Sequence, residues 1–172
     1  RHFGGLTAVD VDHLEIQRGV ITALIGPNGA GKTTLFNLLS GFDKPNTGTW
    51  SFDGTALAGI PAFKVSQLGQ IRTFQLTKAL SMLSVLENMK LGAKDQFGEH
   101  LWSSMFPALW RAQDDEIETK AMELLTRFKL ASKADDFAAS LSGGQRKLLE
   151  MARALMSDPT LVMLDEPMAG VN

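Results

Sequence analysis

The chain has 172 residues, of which 44% are hydrophobic and 21% charged, and these values are typical of a globular protein with one hydrophobic core. Lys plus Arg number 17 and Asp plus Glu number 19, so the net charge of −2 offers no electrostatic argument for nucleic-acid binding. Cysteine is absent, which excludes disulfides and thiolate metal sites.

The N-terminal sequence lacks the basic-then-apolar pattern of a signal peptide. Its longest strongly apolar run, Val20–Ile25, is too short to cross a bilayer. We therefore expect a protein that is soluble or that reaches a membrane through a partner.

The first 75 residues are predicted to form short strands around two helices. Residues 6–26 read as strands with a turn at 17–19, ending in the apolar strand Val20–Ile25. A helix is predicted over Lys32–Ser40, closed by Gly41. An edge strand with a turn at 53–54 follows, then a short helix at 62–68 and a strand at 71–74.

Helical patterns dominate from Val85 to about Leu130. The second half of this stretch places one apolar face on a helix, formed by Ile117, Ala121, Leu124, Leu125 and Phe128. Another helix is predicted at 143–155, with an inward face of Leu148, Met151, Ala152 and Leu155. The apolar run after Pro159 predicts a buried parallel strand. These elements indicate an α/β domain with a mostly helical subdomain.

A glycine-rich loop between a predicted strand and a predicted helix matches the pattern G-x-x-x-x-G-K-[ST]. Its glycines let backbone N–H groups surround a phosphate, Lys32 supplies a positive charge to the β- and γ-phosphates, and the Thr33 hydroxyl suits Mg²⁺. The alternative is a turn that only starts a structural helix. The predicted ATP-binding residues of this loop are Gly26, Pro27, Asn28, Gly29, Ala30, Gly31, Lys32, Thr33 and Thr34.

Two carboxylates end the last predicted strand, where ligands of parallel sheets gather. Asp165 is suited to hold Mg²⁺ through its water shell, and Glu166 to take a proton from an attacking water. The alternative is a strand that ends in solvated acids.

A second glycine-rich turn, "LSGGQ" at residues 141–145, precedes the Asp–Glu strand. With the phosphate loop and "LVMLDE" in this order, the sequence resembles the ATP-binding-cassette (ABC) ATPase family over essentially the whole chain. The resemblance implies a P-loop NTPase core, with a mostly parallel sheet and an antiparallel β subdomain, plus a helical subdomain. It also implies that two cassettes sandwich ATP and Mg²⁺, with the signature residues Ser142, Gly143, Gly144 and Gln145 contacting the partner's nucleotide.

Two further positions match the family residue by residue. Gln75, in "RTFQ", corresponds to the glutamine that contacts Mg²⁺ and the attacking water, near the docking site of the transport subunit. Phe3 corresponds to the aromatic residue that stacks on adenine. The alternatives are an ordinary surface glutamine and a phenylalanine that covers a sheet edge.

Three stretches, "FGGLTAV", "RTFQLTKAL" and "LDEPMAGVN", resemble ATP-binding subunits of branched-chain amino-acid importers. Asn172 stands where the wider family usually has an aspartate. None of the three histidines follows Glu166, so the family's switch histidine has no counterpart here. The resemblance implies a domain that is incomplete at its C-terminus, either as a fragment of a longer subunit or as a shortened protein. We therefore expect weak ATP hydrolysis from this chain alone.

Trp102, Phe106 and Trp110 are spaced four residues apart, although Pro107 indicates a break or a second helix start. We favour core packing of the helical subdomain for this apolar stripe. The alternative is an apolar patch near the surface that docks on the membrane subunits.

The resemblance implies a single domain with its core at 1–75 and 156–172 and a helical subdomain at about 76–155. It further implies an ATPase subunit that pairs with a second cassette and lies on the cytoplasmic face of the inner membrane, bound to permease subunits. Nucleic acid and a transmembrane segment are not expected. The alternatives are a cassette for another cargo, such as urea or lipopolysaccharide, an ATP-dependent interaction module, and a small-molecule kinase.

Overall fold

The computed structural model describes residues 1–73, 80–94, 96 and 107–165, with 107–110 described by their backbone alone. The chain divides into two compact units, residues 1–70 and 71–172. Four predicted features lie outside the described residues or side chains: Gln75, Glu166, Asn172 and the stripe formed by Trp102, Phe106 and Trp110.

The first unit begins with two short antiparallel ladders that flank a helix. Strand β1 (His2–Phe3) pairs with β2 (Leu6–Thr7), and β3 (Ser51–Phe52) pairs with β4 (Thr55–Ala56). The turn between β3 and β4 has positive φ at both central residues, Asp53 and Gly54. This is the conformation that an Asp-Gly hairpin turn prefers, so the predicted turn is confirmed.

Helix α1 spans Lys32–Leu39 and α2 spans Ala62–Gln67, each within one residue of its predicted range. Gly41 follows α1 with φ 75°, and its N–H donates to the carbonyl of Leu38. A glycine in the left-handed conformation can close a helix in this way because it has no Cβ.

The apolar strand predicted at Val20–Ile25 is wrong for this structure. Residues 20–25 form no strand, and the side chains of Ile21 and Ile25 are exposed. A strand is stable only beside a hydrogen-bonding neighbour, and among the described residues before β5 the structure pairs only β1 with β2 and β3 with β4. The strands predicted within residues 8–16 are absent for the same reason, whereas a turn does occur at 18–19.

The second unit contains three packed helices and a pair of short strands. Helix α3 is Val85–Lys90, α4 is Pro107–Arg127 and α5 is Gly143–Leu155, and each of the three contacts the other two. Two 3₁₀ turns, Ala131–Lys133 and Ala138–Ser140, connect α4 to α5. Strand β5 (Gln70–Arg72) pairs with β6 (Leu161–Met163).

The hydrophobic core of this unit lies between the three helices. The predicted inward face of α4 is confirmed, because Ala121, Leu124 and Leu125 are buried and the other two members pack against them. Burial of these side chains supplies the main stabilising free energy of the bundle. The buried residues of this hydrophobic core include Val85, Met89, Ala121, Leu125, Leu130, Leu149, Ala152 and Met156.

The predicted inward face of α5 needs a correction. Ala152 is buried as expected, but Leu148 is exposed and its neighbour Leu149 is buried. Lys147 and Glu150 are also buried, with Nζ and Oε2 3.9 Å apart. Successive helical residues are rotated by about 100° around the helix axis. The buried face of α5 is therefore displaced by about one residue from the predicted face, and it contains Lys147, Leu149 and Glu150.

Asn88 lies fully buried in α3 and fixes the segment before that helix. Its Nδ2 donates to the carbonyls of Leu80 and Ser84, and its Oδ1 accepts from the N–H of Leu80. A buried amide retains its stability only when its donors and acceptors are satisfied. Residues 80–84 are therefore held to α3 by side-chain hydrogen bonds.

Gly92 marks a close approach of the chain after α3 to helix α5. A Cβ on this residue would lie 2.4 Å from the carbonyl oxygen of Arg153 and 3.0 Å from Cβ of Met156. We predict that Gly92→Ala lowers the free energy of unfolding by about 1–3 kcal/mol, the usual cost of overpacking, as measured by urea unfolding. Gly5→Ala is the control, because nothing lies within 4 Å of a Cβ at Gly5; equal stability of the two variants would contradict the close approach.

The N-terminus of α3 has a charged capping box. The Ser84 N–H donates to Glu87 Oε2 at 2.7 Å, and the Glu87 N–H donates to the Ser84 hydroxyl at 3.1 Å. The backbone hydrogen bond from Ser84 lowers the pKa of Glu87, and the bond from its hydroxyl lowers it further. A depressed carboxyl pKa stabilises the fold at neutral pH, and that stability is lost as the pH falls through the folded-state value.

We predict that Glu87→Gln lowers the urea midpoint at pH 7, and that the difference from wild type disappears below about pH 4, where glutamates protonate. A glutamine keeps the neutral hydrogen bond but loses the charge. Glu123→Gln, an exposed position on α4, serves as the control and should follow the wild-type profile. A difference at Glu87 that persists unchanged at pH 3 would contradict the role of the charge.

Candidate functional site

The phosphate-loop sequence forms a tight turn whose conformation requires its glycines. Gly29 and Gly31 have φ of 81° and 84°, and the Ala30 N–H donates to the Pro27 carbonyl. A Cβ on Gly31 would lie 2.0 Å from the carbonyl oxygen of Ala8. The loop is thus seated on the backbone near β2 at a distance that only glycine allows.

Lys32 folds over this loop. Its ammonium group donates to the carbonyl of Gly26 at 2.7 Å and to the carbonyl of Pro27 at 2.8 Å. The side chain therefore runs back from the first turn of α1 to the start of the loop. A full positive charge is held beside the glycine-rich turn.

Helix α1 begins at the end of the loop without a side-chain cap. Gly31 is the N-cap residue and provides no side-chain hydrogen bond to the first-turn N–H groups. Those N–H groups carry the partial positive charge of the helix N-terminus. The Thr33 side chain is exposed, and that of Thr34 is half-buried. This arrangement can bind an anion through backbone amides.

The second glycine turn leads into α5, but here the helix start is capped. The Ser142 hydroxyl accepts from the Gln145 N–H at 3.2 Å, and Gln145 Oε1 accepts from the Ser142 N–H at 2.9 Å. Ser142 and Gly143 are exposed, and Gly144 and Gln145 are half-buried. The signature residues thus form a neutral capping box at the surface.

Asp165 follows β6 and is buried. Its Oδ2 accepts a hydrogen bond from Arg72 Nη2 at 2.9 Å, and the two side chains are 8% and 4% exposed. This ion pair was missed by the sequence analysis. Two features of the sequence could have indicated the pair: Arg72 is a charged residue within a short predicted strand, and a carboxylate was expected at the end of another strand.

Phe3 lies at the surface, next to the Arg1 side chain. Phe3 is 47% exposed, and the Arg1 guanidinium carbon lies 4.5 Å from the centre of its ring. Its contact with adenine stays a prediction. The roles of Gln75 and Glu166 also stay predictions, since both lie outside the described residues.

Two negative findings apply to the part of the chain that the structure describes. No helix there combines the length and apolar character needed to cross a membrane. No group of three or more His, Cys, Asp or Glu side chains converges there in a way that could hold a metal ion.

Comparison with known proteins identifies related sequences along the whole chain. The sequence pattern of the ABC transporter family matches residues 9–169. The probable branched-chain amino acid transport ATP-binding protein LivG of Archaeoglobus fulgidus is 42% identical over 172 residues, which cover 100% of this chain and 66% of that protein. LivG of Escherichia coli strain K12, named a high-affinity protein of the same kind, is 40% identical over 99% of this chain and 67% of its own length. The chain thus spans about two thirds of these relatives.

Solved structures agree with the sequence relatives. MJ1267, an ATP-binding cassette of an ABC transporter, matches with a TM-score of 0.81 at 37% identity, covering 100% of this chain and 68% of its own. The dimeric cassette MJ0796 matches with a TM-score of 0.71 at 25% identity, over 92% of this chain and 66% of its own. The fold is therefore the P-loop NTPase fold of ABC cassettes. With the family pattern and the relatives extending along nearly its whole length, this chain belongs to the ABC transporter family.

Proposed function

We propose that this chain is the ATP-binding and ATP-hydrolysing subunit of an ABC importer for branched-chain amino acids. The observation that carries the proposal is the phosphate loop, with Gly31 seated on Ala8 and Lys32 folded over its carbonyls. Relatives 37–42% identical to the chain are named branched-chain amino acid transport ATP-binding proteins, which supports the cargo.

The loop residues would hold the triphosphate of ATP. Backbone N–H groups of residues 28–34 would donate to phosphate oxygens, and the uncapped start of α1 would add its partial positive charge. The Lys32 ammonium exchanges its present carbonyl partners for the β- and γ-phosphates. Phe3, exposed on β1, offers its ring to the adenine base.

The residues proposed for the metal fit Mg²⁺ by the chemistry of their donors. Thr33 presents an exposed hydroxyl, Asp165 a carboxylate and Gln75 an amide oxygen, and Mg²⁺ prefers such oxygen ligands while keeping several waters. When bound, Mg²⁺ would neutralise the charge that develops on the β- and γ-phosphates. Thr33, Gln75 and Asp165 are the residues that would hold it.

Hydrolysis would depend on Glu166 and Gln75. Gln75 orients the attacking water, and Glu166 takes a proton from it as the oxygen attacks the γ-phosphate. The bond between the β–γ bridging oxygen and the γ-phosphorus then breaks, and ADP and phosphate leave. Both assignments rest on the sequence motifs.

A second cassette would complete each ATP site. Ser142, Gly143, Gly144 and Gln145 would contact the γ-phosphate bound to the partner cassette. The exposure of Ser142 and Gly143 supports this role, and MJ0796 is described as a dimeric cassette. ATP-driven closure and reopening of the pair would move attached permease subunits.

The finer architecture follows the same proposal. The core would comprise residues 1–75 and 156–172, with a mostly parallel sheet and an antiparallel β subdomain, and the helical subdomain would comprise about 76–155. Contact with permease subunits would hold the chain at the cytoplasmic face of the inner membrane.

We predict that Lys32→Met weakens ATP binding about 10- to 100-fold, since a hydrogen bond to a charged group contributes about 1.5–3 kcal/mol. Isothermal titration with ATP and Mg²⁺ measures the affinity, and circular dichroism checks the fold. Lys64→Met, at an exposed position on α2, is the control and should bind as wild type does. Equal ATP affinity of Lys32→Met and wild type would show that Lys32 does not contribute to ATP binding.

The signature can be tested without disturbing its capping role. Aspartate caps a helix as well as serine does, so Ser142→Asp should keep the fold stable to within about 0.5 kcal/mol while placing a negative charge where a phosphate is proposed to lie. In a Glu166→Gln background, where loss of the proposed base should slow ATP hydrolysis, we predict that Ser142→Asp abolishes ATP-dependent pairing in sedimentation velocity.

Ser84→Asp in the same background is the matched control, because Ser84 caps α3 with the same geometry. That variant should pair with ATP as its parent does. Unchanged pairing of Ser142→Asp would show that Ser142 does not face the partner's nucleotide.

A further inference from the structure

A buried ion pair lies at the end of the β5–β6 ladder. Arg72 ends β5, and Asp165 follows β6 by two residues. Arg72 Nη2 and Asp165 Oδ2 are 2.9 Å apart, with side chains 4% and 8% exposed. The Thr73 N–H donates to the Met163 carbonyl at 3.0 Å, which fixes the two chain segments beside each other.

Burial makes this pairing important for both groups. A buried carboxylate without a partner is costly, and a guanidinium is charged at every accessible pH. Arg72 therefore provides the partner that the buried Asp165 carboxylate needs inside the protein. Asp165 is also the carboxylate proposed above as a ligand for Mg²⁺.

We propose that Arg72 is an internal counter-ion that competes with Mg²⁺ for the carboxylate of Asp165. The inference rests on the proposed function, since it assigns Asp165 to the nucleotide-bound metal. The guanidinium supplies the positive charge that Asp165 needs when no metal is present. On metal binding, Arg72 shares or releases Oδ2, and its repulsion of the divalent cation lowers the metal affinity.

Removing the charge at position 72 should therefore strengthen Mg²⁺ binding while weakening the metal-free fold. Charge repulsion over a few ångströms inside a protein weakens cation binding by about tenfold or more, so a change of about tenfold in metal affinity is expected. A purely structural arginine would behave differently, because its loss would leave the Mg²⁺ requirement unchanged or raise it.

The experiment compares wild type with Arg72→Gln and Arg72→Lys. Binding of a fluorescent ADP analogue is measured as Mg²⁺ is titrated, and again in EDTA. We expect the Mg²⁺ concentration at half-saturation to fall about tenfold in Arg72→Gln, with EDTA binding unchanged. Arg72→Lys keeps the charge and should stay close to wild type.

Thermal unfolding provides the second readout. Arg72→Gln should unfold at a lower temperature than wild type in EDTA, and Mg²⁺ with ADP should raise its unfolding temperature more than that of wild type. Lys90→Gln is the control, because Lys90 pairs with Asp114 and Glu118 between α3 and α4. This variant should lose stability without any change in half-saturating Mg²⁺.

The outcomes separate the two proposals. Absence of nucleotide binding by wild type, with Mg²⁺ or in EDTA, would overturn the proposed function and this inference with it. Mg²⁺-dependent binding by wild type, together with unchanged or higher half-saturating Mg²⁺ in Arg72→Gln, would overturn the inference alone.

A measurement on wild type covers the case in which Arg72→Gln does not fold. The side-chain ¹⁵N resonances of Arg72 are followed by NMR as ADP is added in EDTA and Mg²⁺ is then supplied in excess. We expect these resonances to shift when Mg²⁺ is supplied and to stay unchanged with ADP alone. Resonances that do not respond to Mg²⁺ would overturn the competition.

Discussion

The N–H groups at the start of a helix have no partners within that helix, and this constraint shapes both glycine-rich turns. At α1 the N-cap residue is Gly31, which has no side chain and lies so close to the Ala8 carbonyl that a Cβ would not fit. The N–H groups in the first turn of α1 therefore make no hydrogen bond to a capping side chain. At α5 the Ser142 hydroxyl accepts a hydrogen bond from the Gln145 N–H, and Gln145 Oε1 accepts one from the Ser142 N–H. The start of α1 is thus suited to bind an anion within its own loop, whereas the start of α5 is capped by side chains and has Ser142 exposed at the surface.

Local sequence signals predicted the helices well, and long-range pairing accounts for the errors. The turn at Asp53–Gly54 and the glycine after α1 depend on φ preferences of a few adjacent residues, which the sequence displays directly. A strand at Val20–Ile25 depends on a neighbour elsewhere in the chain. Apolar composition identifies a segment that prefers to be buried, but it contains no information about whether a partner strand lies beside it. The exposure of Ile21 and Ile25 shows that difference.

The same difference between local signals and long-range pairing applies to the candidate site. The loop from Gly26 to Thr33 is contiguous, so its residues and their chemistry could be read from the sequence. The partner of Asp165 is 93 positions away, and no local pattern connects them. Lys147 and Glu150 illustrate a second limit, because charged residues are assigned to the surface by default, yet this pair is buried in α5. Their pairing and their aliphatic stems let them pack inward, which leaves Leu148 exposed and Leu149 in the core.

Lys32 and Arg72 each have oxygen partners within the protein. Lys32 donates to the carbonyls of Gly26 and Pro27, and Arg72 donates to Asp165. A ligand that recruits Lys32, or a metal that recruits Asp165, must therefore replace interactions of similar kind, so the net free energy of binding is a difference between two large terms. The carbonyl partners of Lys32 are neutral, and phosphate oxygens are charged, so this exchange favours the ligand. The carboxylate partner of Arg72 carries a full charge and is buried, so releasing it is costly. We therefore expect phosphate binding at Lys32 to be the easier of the two proposed exchanges, and metal binding at Asp165 to be the one that the ion pair opposes.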